Sequence, residues 1–249
     1  MPVGGNSVLG IDIGGSSIKG AIVDIATGQL SSKRIRIKHK KMPDLETIVE
    51  SISKIRKKLD YSAEYLGIGF PGVVEGKIVV NGPNMGKDLV GEGLCKRLNG
   101  NVSLLNDADS ALYHVLRNTN CSDMHDRILL VTIGTSLGTA ISQNGKLVTN
   151  IELGQILDDS GTPIDRLSSD LARRELEMSF AEWSSELTKS LRMISRITSP
   201  TAIILGGGVT AISHKWLGML DLEEEVSIAP DGNDAGIIGA ACWNYDSFH

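Results

Sequence analysis

Cysteine and aromatic side chains are scarce in this chain, long apolar runs are absent, and cations do not outnumber anions. The three cysteines, Cys95, Cys121 and Cys242, lie far apart, with no C-x-x-C pair among the 249 residues. That spacing excludes a disulfide framework and a zinc site, and leaves reduced thiols in a cytosol as the simplest reading. No apolar run approaches the ~18 residues that a membrane span needs. Residues 1–7 (MPVGGNS) carry neither a positive n-region nor an apolar h-region, so a cytoplasmic protein without a secretory leader is expected. With 25 Lys and Arg against 30 Asp and Glu, the net charge is −5. That balance leaves no global nucleic-acid footprint. No G-x-x-x-x-G-K-[ST] P-loop occurs, and the first glycine turn leads into a strand rather than a helix, so the dinucleotide fingerprint fails too.

What is plentiful is glycine, with 28 residues, and three of its clusters follow short apolar strands. Residues 8–13 run into Gly14-Gly15-Ser16-Ser17, residues 127–133 into Gly134-Thr135-Ser136-Leu137-Gly138, and residues 201–205 into Gly206-Gly207-Gly208. Residues 18–24 complete a hairpin with the first strand. Residues 33–41 (KRIRIKHKK) alternate basic and apolar, which predicts a strand with Arg34, Arg36, Lys38 and Lys40 on one face. That row either tracks a polyanion or is the solvated face of an edge strand. Asp44 is placed to cap a helix reaching Leu59. Strands are expected over 65–70, 77–80 and 102–105, with a helix from Ser110 to Arg117. Asn144-Gly145 marks a second hairpin. Residues 164–197 read as largely helical, interrupted near Ser179 and stopped by Pro200. Residues 235–243 read as a helix of small residues. Hairpins followed by αβ units, twice over, argue for an α/β protein of two similar lobes around a cleft.

The glycine loops are where chemistry is expected. In the first, Gly14 and Gly15 free backbone N–H groups to converge on an anion, Ser16 and Ser17 add hydroxyls, and Lys19 adds a cation. Asp12, at the strand end, stands where a carboxylate holds magnesium through water. A hairpin that simply needs glycine accounts for these residues equally well. Gly134, Thr135, Ser136 and Gly138 repeat the recipe, and Gly206, Gly207 and Gly208 let a flat group approach the backbone. Three such loops at strand ends tip the balance toward phosphate or nucleotide binding. Asn106-Asp107-Ala108-Asp109 also follows a strand directly. Asp107 is placed to orient a hydroxyl and accept its proton, and Asp109 to cap the next helix. Read alone, Asn84 is a turn residue and Glu152 is solvated surface. Trp183 and Trp216 are expected to pack in the core.

The stretches LGIDIGGSSIKGAIVD (9–24), GIGFPGVV (67–74), LLNDADSAL (104–112), LLVTIGTSLGTAI (129–141), NIELGQ (150–155), ILGGGVT (204–210) and NDAGIIGAA (233–241) occur in this order. Together they resemble the ROK (repressor, open reading frame, kinase) family of sugar kinases over nearly the whole chain. Within it, the wording and compact length are most similar to the polyphosphate glucokinase branch. The resemblance implies an actin-like (ribonuclease H-like) two-lobed α/β fold with a central cleft. The lobes expected are 1–106 and 107–232, with the helix of 233–249 returning to the N-terminal lobe. It implies phosphoryl transfer from polyphosphate or ATP, with magnesium, to the 6-hydroxyl of a hexose, most simply glucose. The alternatives are a kinase for mannose or an amino sugar, and a non-catalytic sugar sensor.

By position in these motifs, Asp107 matches the family's general base and Asp12 its metal-associated carboxylate. Gly14, Gly15, Ser16, Ser17 and Lys19 match the first phosphate loop, Gly134, Thr135, Ser136 and Gly138 the second, and Gly206, Gly207 and Gly208 the adenosine-side loop. Asn84, Asn106, Asp107 and Glu152 match sugar-hydroxyl ligands. Gln155 takes the place of a sugar-side histidine, and Ser136 the place of a glycine. The zinc-binding cysteines of many ROK proteins are missing, as they are in the polyphosphate branch. Neither a nucleic-acid nor a membrane partner is implied, and a homodimer follows by family analogy alone.

Overall fold

The computed structural model describes residues 6–40, 42–82, 85–118 and 125–249. Contacts divide the chain into two units, Met1–Asn118 with Asp234–His249, and Thr119–Asn233.

The first unit is built on strands β1 (Ser7–Gly14), β2 (Ser17–Asp24), β3 (Gln29–Leu30), β4 (Ile35–Lys38), β5 (Tyr65–Phe70) and β8 (Asn101–Asn106). Their order is β3-β2-β1-β5-β8, with β4 also pairing β2. The β1–β2 hairpin is antiparallel, whereas β1, β5 and β8 run parallel. A separate ribbon pairs β6 (Val73–Glu75) with β7 (Ile78–Asn81). Helix α1 (Leu45–Lys58) starts where the Asp44 carboxylate accepts the Thr47 amide at 2.8 Å, as the sequence predicts. Its buried residues Ile48, Ile52 and Ile55 recur at helical spacing and join Ile11, Ile13, Ile18 and Ile35 in one core. Short α2 (Gly93–Leu98) adds Leu94 and Leu98 to it.

The other face of the sheet carries the C-terminal helix Ala235–Phe248, whose Ile237, Ile238 and Ala241 pack on Val8, Ala21 and Val23. This helix lies very close to its neighbours. A methyl group at Gly67 would overlap the Ala240 carbonyl, and one at Gly239 would overlap the Ser110 carbonyl of α3 (Asp107–Asn118). That close seat on α3 places residues 107–118 in the first unit, so the boundary lies beyond Asn118 rather than at the expected 106/107. The expected strand over 33–41 is shorter, because β4 pairs β2 only from Ile35 to Lys38.

The second unit repeats the pattern. Strands β9 (Arg127–Ile133), β10 (Leu137–Gln143), β11 (Lys146–Val148), β12 (Ala202–Gly206) and β13 (Glu225–Ile228) lie in the order β11-β10-β9-β12-β13. Here too a hairpin, β9–β10, is followed by two parallel neighbours. The expected helix over 164–197 is three helices, α4 (Asp165–Ser168), α5 (Asp170–Glu175) and α6 (Phe180–Thr198). Ser169 starts α5 by accepting the Ala172 amide, and Ser179 starts α6 in a reciprocal capping box with Glu182. Trp183 and Trp216 are fully buried, edge to face at 5.3 Å, in the packing role expected of them.

Candidate active site

In the first unit, chemistry-bearing residues gather at the carboxyl ends of the parallel strands. Asp12 sits near the end of β1, opposite Lys19 on β2, and Lys19 Nζ lies 2.7 Å from Asp12 Oδ2. The side chains are about one-fifth exposed, so the pair is screened less than a surface one. The first turn of the C-terminal helix meets them there. A methyl group at Gly236 would sit 3.7 Å from the Asp12 carboxylate carbon and 3.9 Å from the Asp107 carbonyl oxygen. Two helices therefore begin beside Asp12, and the positive ends of their dipoles favour negative charge at that point.

The Gly14–Ser17 turn is tight, with Gly14 and Ser17 directly paired. Neither Gly14 nor Gly15 has a positive φ, so a backbone requirement for glycine is not what explains them. An anion nest built on alternating backbone handedness is not formed here either. The turn is instead bound to the basic segment beside it. Arg36 Nε donates to Ser17 Oγ at 3.0 Å, the His39 amide donates to the Ser16 carbonyl at 3.3 Å, and His39 Nε2 lies 2.9 Å from the Gly14 carbonyl oxygen.

At the end of β8, the structure reassigns two roles. Helix α3 begins at Asp107 itself, not at Ser110. Its cap is Asn106, whose Oδ1 accepts the amides of Ala108 at 2.9 Å and Asp109 at 3.1 Å. Asp109 is fully buried inside the first turn and is not the cap. Asn106 is 1% exposed, and its Nδ2 donates to the Gly72 carbonyl at 3.1 Å. These bonds point to a side chain that shapes the strand–helix junction. Asp107, the next residue, is half-buried and also accepts the Ala108 amide at 2.9 Å. Asn84 lies outside the described residues.

In the second unit, two glycine loops close neighbouring parallel strands. Gly134 lies in the three-residue link between β9 and β10, its amide bonded to the Ser136 carbonyl, with open space where a side chain would project. Thr135 is exposed, Ser136 half-buried, and Gly138 pairs with Thr132. In the triplet, Gly206 ends β12 and Gly208 opens a short 3-10 turn. Gly207 has φ +90°, and a methyl there would overlap the Ile133 carbonyl, so this glycine is required by the fold.

Glu152 precedes and Gln155 ends a one-turn segment held to β10, where Thr139 Oγ1 donates to the Ile151 carbonyl at 2.5 Å and accepts the Leu153 amide at 2.8 Å. Gln155 Nε2 donates to Asp165 Oδ2 at 2.9 Å. Asp165 is buried, which pushes its carboxyl above the usual aspartate range, although the Gln155 bond and the nearby Arg166 pull the other way. Its Oδ1 is buried without a hydrogen-bond partner. The sequence reading missed Asp165, because it lay within a presumed long helix.

The chain belongs to the ROK family, whose model matches residues 8–154. Among curated proteins it is similar to the polyphosphate glucokinase of Mycobacterium leprae (strain TN), 32% identical over 237 residues, or 93% of this chain and 72% of that protein. Among solved structures it is similar to the inorganic polyphosphate/ATP-glucomannokinase from Arthrobacter sp. strain KM. That match has a TM-score of 0.90 at 31% identity and covers 97% of this chain and 99% of the other. A ROK family glucokinase from Streptomyces griseus, solved in complex with glucose and AMPPNP, shares the fold with a TM-score of 0.79 at 22% identity, over 96% of this chain and 99% of that one. The actin-like α/β class expected from the sequence is the class of these structures. No helix among the described residues is long and apolar enough to cross a membrane.

Proposed function

We infer that this chain is a hexose kinase that moves a phosphoryl group from polyphosphate or ATP to the 6-hydroxyl of glucose, with mannose as a second acceptor. The observation that carries the reading is the meeting of Asp12, Lys19 and the starts of two helices at the strand ends of the first unit. It is supported by relatives that are named for this chemistry and match over most of both chains.

Phosphoryl transfer needs in-line positioning, neutralised charge and a base for the attacking hydroxyl. Asp107 is the base in this reading, because its carboxylate is half-buried at a helix start that Asn106 holds in place. Gly14, Gly15, Ser16 and Ser17, with Lys19, hold donor phosphates, as do Gly134, Thr135, Ser136 and Gly138. Gly206 and Gly208 leave room for the adenosine of ATP. Glu152, Gln155 and Asn84 orient sugar hydroxyls. Asn106 moves from sugar ligand to positioning residue.

Magnesium fits this donor set in one way. Among the described residues, no three His, Cys, Asp or Glu side chains cluster to hold an ion by themselves. A single carboxylate, Asp12, suits a small cation that keeps several waters and takes its remaining ligands from phosphate. Bound there, magnesium supplies charge neutralisation on the transferring group. Lys19 holds the Asp12 carboxylate in place. With Cys95 and Cys242 buried as free thiols, a reducing cytosol suits the chain.

The test is a coupled glucose-6-phosphate assay with magnesium, glucose or mannose, and either ATP or polyphosphate. Product with at least one donor is expected. No product from any combination would sink the reading.

A further inference from the structure

The basic strand beside the first glycine loop has no role in the reaction as described, and its register gives it one. Residues Asp12, Lys19 and Arg36 form one cross-strand row over β1, β2 and β4, and Gly14, Ser17 and Lys38 form the next. Residues directly opposite in a sheet project on the same side. Arg36 and Lys38 therefore share the face of Asp12 and the glycine loop, while Ile35 and Ile37 turn to the core beneath α1. The Arg36–Ser17 bond agrees with that placement.

Two cations directly opposite each other, Lys19 and Arg36, are unfavourable in a sheet unless something offsets them. Asp12 offsets Lys19. Farther along the same face, Asp234 offsets Arg34, with Nη1 2.5 Å from Oδ1. Among the described residues Arg36 has no acidic partner and donates through Nε to the neutral Ser17 hydroxyl. Lys38, and Lys40 two residues on, are exposed and have no acidic partner among the described residues. An edge strand that needed only protection from aggregation has no use for a loop-bonded arginine. Within β4, Arg36 and Lys38 stand ~6.6–6.8 Å apart, with Lys38 directly opposite Ser17 of the glycine loop and Lys40 two residues past the strand. A guanidinium followed by point charges suits phosphate groups in series.

Resting on the kinase reading above, we propose that Arg36, Lys38 and Lys40 bind the distal phosphates of a long inorganic polyphosphate chain whose reacting end lies at the Gly14–Ser17 loop. A single-stranded nucleic acid is the other polyanion that a basic row could take. Nucleic-acid grooves pair cations with aromatic rings for base stacking. Residues 31–60 hold no Phe, Tyr or Trp, and both ring nitrogens of His39 face backbone carbonyls.

Binding measured without turnover separates this inference from the kinase reading. Long-chain polyphosphate, tripolyphosphate and a single-stranded RNA are titrated against the full-length protein, the variant R36Q/K38Q/K40Q, the single variant K38Q and a control, K57Q/K58Q. The control removes exposed charge from α1, on the opposite side of the sheet. The unvaried protein is expected to prefer the long chain over tripolyphosphate. That preference falls at least about tenfold in the triple variant and by a smaller factor in K38Q. K38Q alters one exposed side chain and answers the question if the triple variant fails to fold. An unchanged chain-length preference in K38Q and the triple variant overturns the proposal, as does an equal loss in the α1 control or tighter binding of RNA. Each of these outcomes is readable whether or not glucose is phosphorylated.

Discussion

Gln155 donates its side-chain amide to the buried Asp165 carboxylate at 2.9 Å, which ties the one-turn segment after β10 to the start of α4. In the proposed function, Oε1 and the second Nε2 hydrogen are what Gln155 has left to offer a sugar hydroxyl. We expect Gln155→His to change the sugar profile, raising affinity or widening choice among glucose, mannose and amino sugars. KM values over a sugar panel check this. An identical panel would remove Gln155 from the sugar site.

Asp165 also has a signature in stability. Burial raises its carboxyl above the ordinary value of 3.8, so the folded state holds this proton more tightly than the unfolded state does. The stabilisation is complete below the unfolded value and is lost as pH rises through the raised folded one. Asp165→Asn therefore melts at a higher temperature than the parent near neutral pH, and the gap closes on acidification. Thermal melts from about pH 4 to about pH 8 test the sign. A gap that widens toward acid would contradict it.

Asp107 and Asn106 should separate cleanly in kinetics. Asp107→Asn lowers kcat by ~10²–10⁴-fold and leaves sugar binding measurable by titration. Asn106→Ala removes a helix cap, costing about 1 kcal/mol of stability. It lowers kcat more than it raises KM for sugar, because the residue acts through Asp107. If Asn106→Ala raised KM for sugar alone, Asn106 would return to the role of a direct ligand.

The Asp12 reading concerns a metal, so its test is a titration. Asp12→Asn raises the magnesium concentration needed for half-maximal activity by about 10–100-fold, the usual effect of losing an outer-shell partner. Chelation with EDTA abolishes transfer in the parent, and added magnesium restores it. An Asp12→Asn magnesium curve that overlays the parent's would discard the assignment.

The contact between the C-terminal helix and its neighbours gives a purely structural prediction. Gly239→Ala pushes a methyl into the Ser110 carbonyl. It destabilises by ~1–3 kcal/mol, readable in the denaturation midpoint. A midpoint at the parent's value would mean that the helix shifts freely on α3.

Features that depend on neighbours in sequence were legible from sequence. The Asp44 cap, the β1–β2 hairpin and the helix start at Ser179 follow from residues within a turn of one another. The small residues of 235–241 predict a helix without saying why they are small. The reason lies in the strands and in α3, more than a hundred residues away in sequence. β13, only four residues long, carries too little alternation to be read. The break at Ser169 was hidden by a continuous helical pattern.

The proposed roles of Asp12, Lys19 and Asp107 rest on their motifs. Asn106 was read as a sugar ligand, and its bonds to Gly72, Ala108 and Asp109, on which its proposed positioning role rests, become visible only in three dimensions. Asp165 depends on burial and on a bond to Gln155, and neither leaves a local pattern.

The order of the chain imposes an order on synthesis. The helix that seals one face of the first sheet is encoded after the whole second unit. A nascent chain emerging from the ribosome thus displays Val8, Ala21 and Val23 uncovered while residues 119–233 are still being made. The second unit has all its strands in one continuous segment and completes first. The first unit, although translated earlier, closes last, and during that interval it is the part of the molecule most in need of a chaperone.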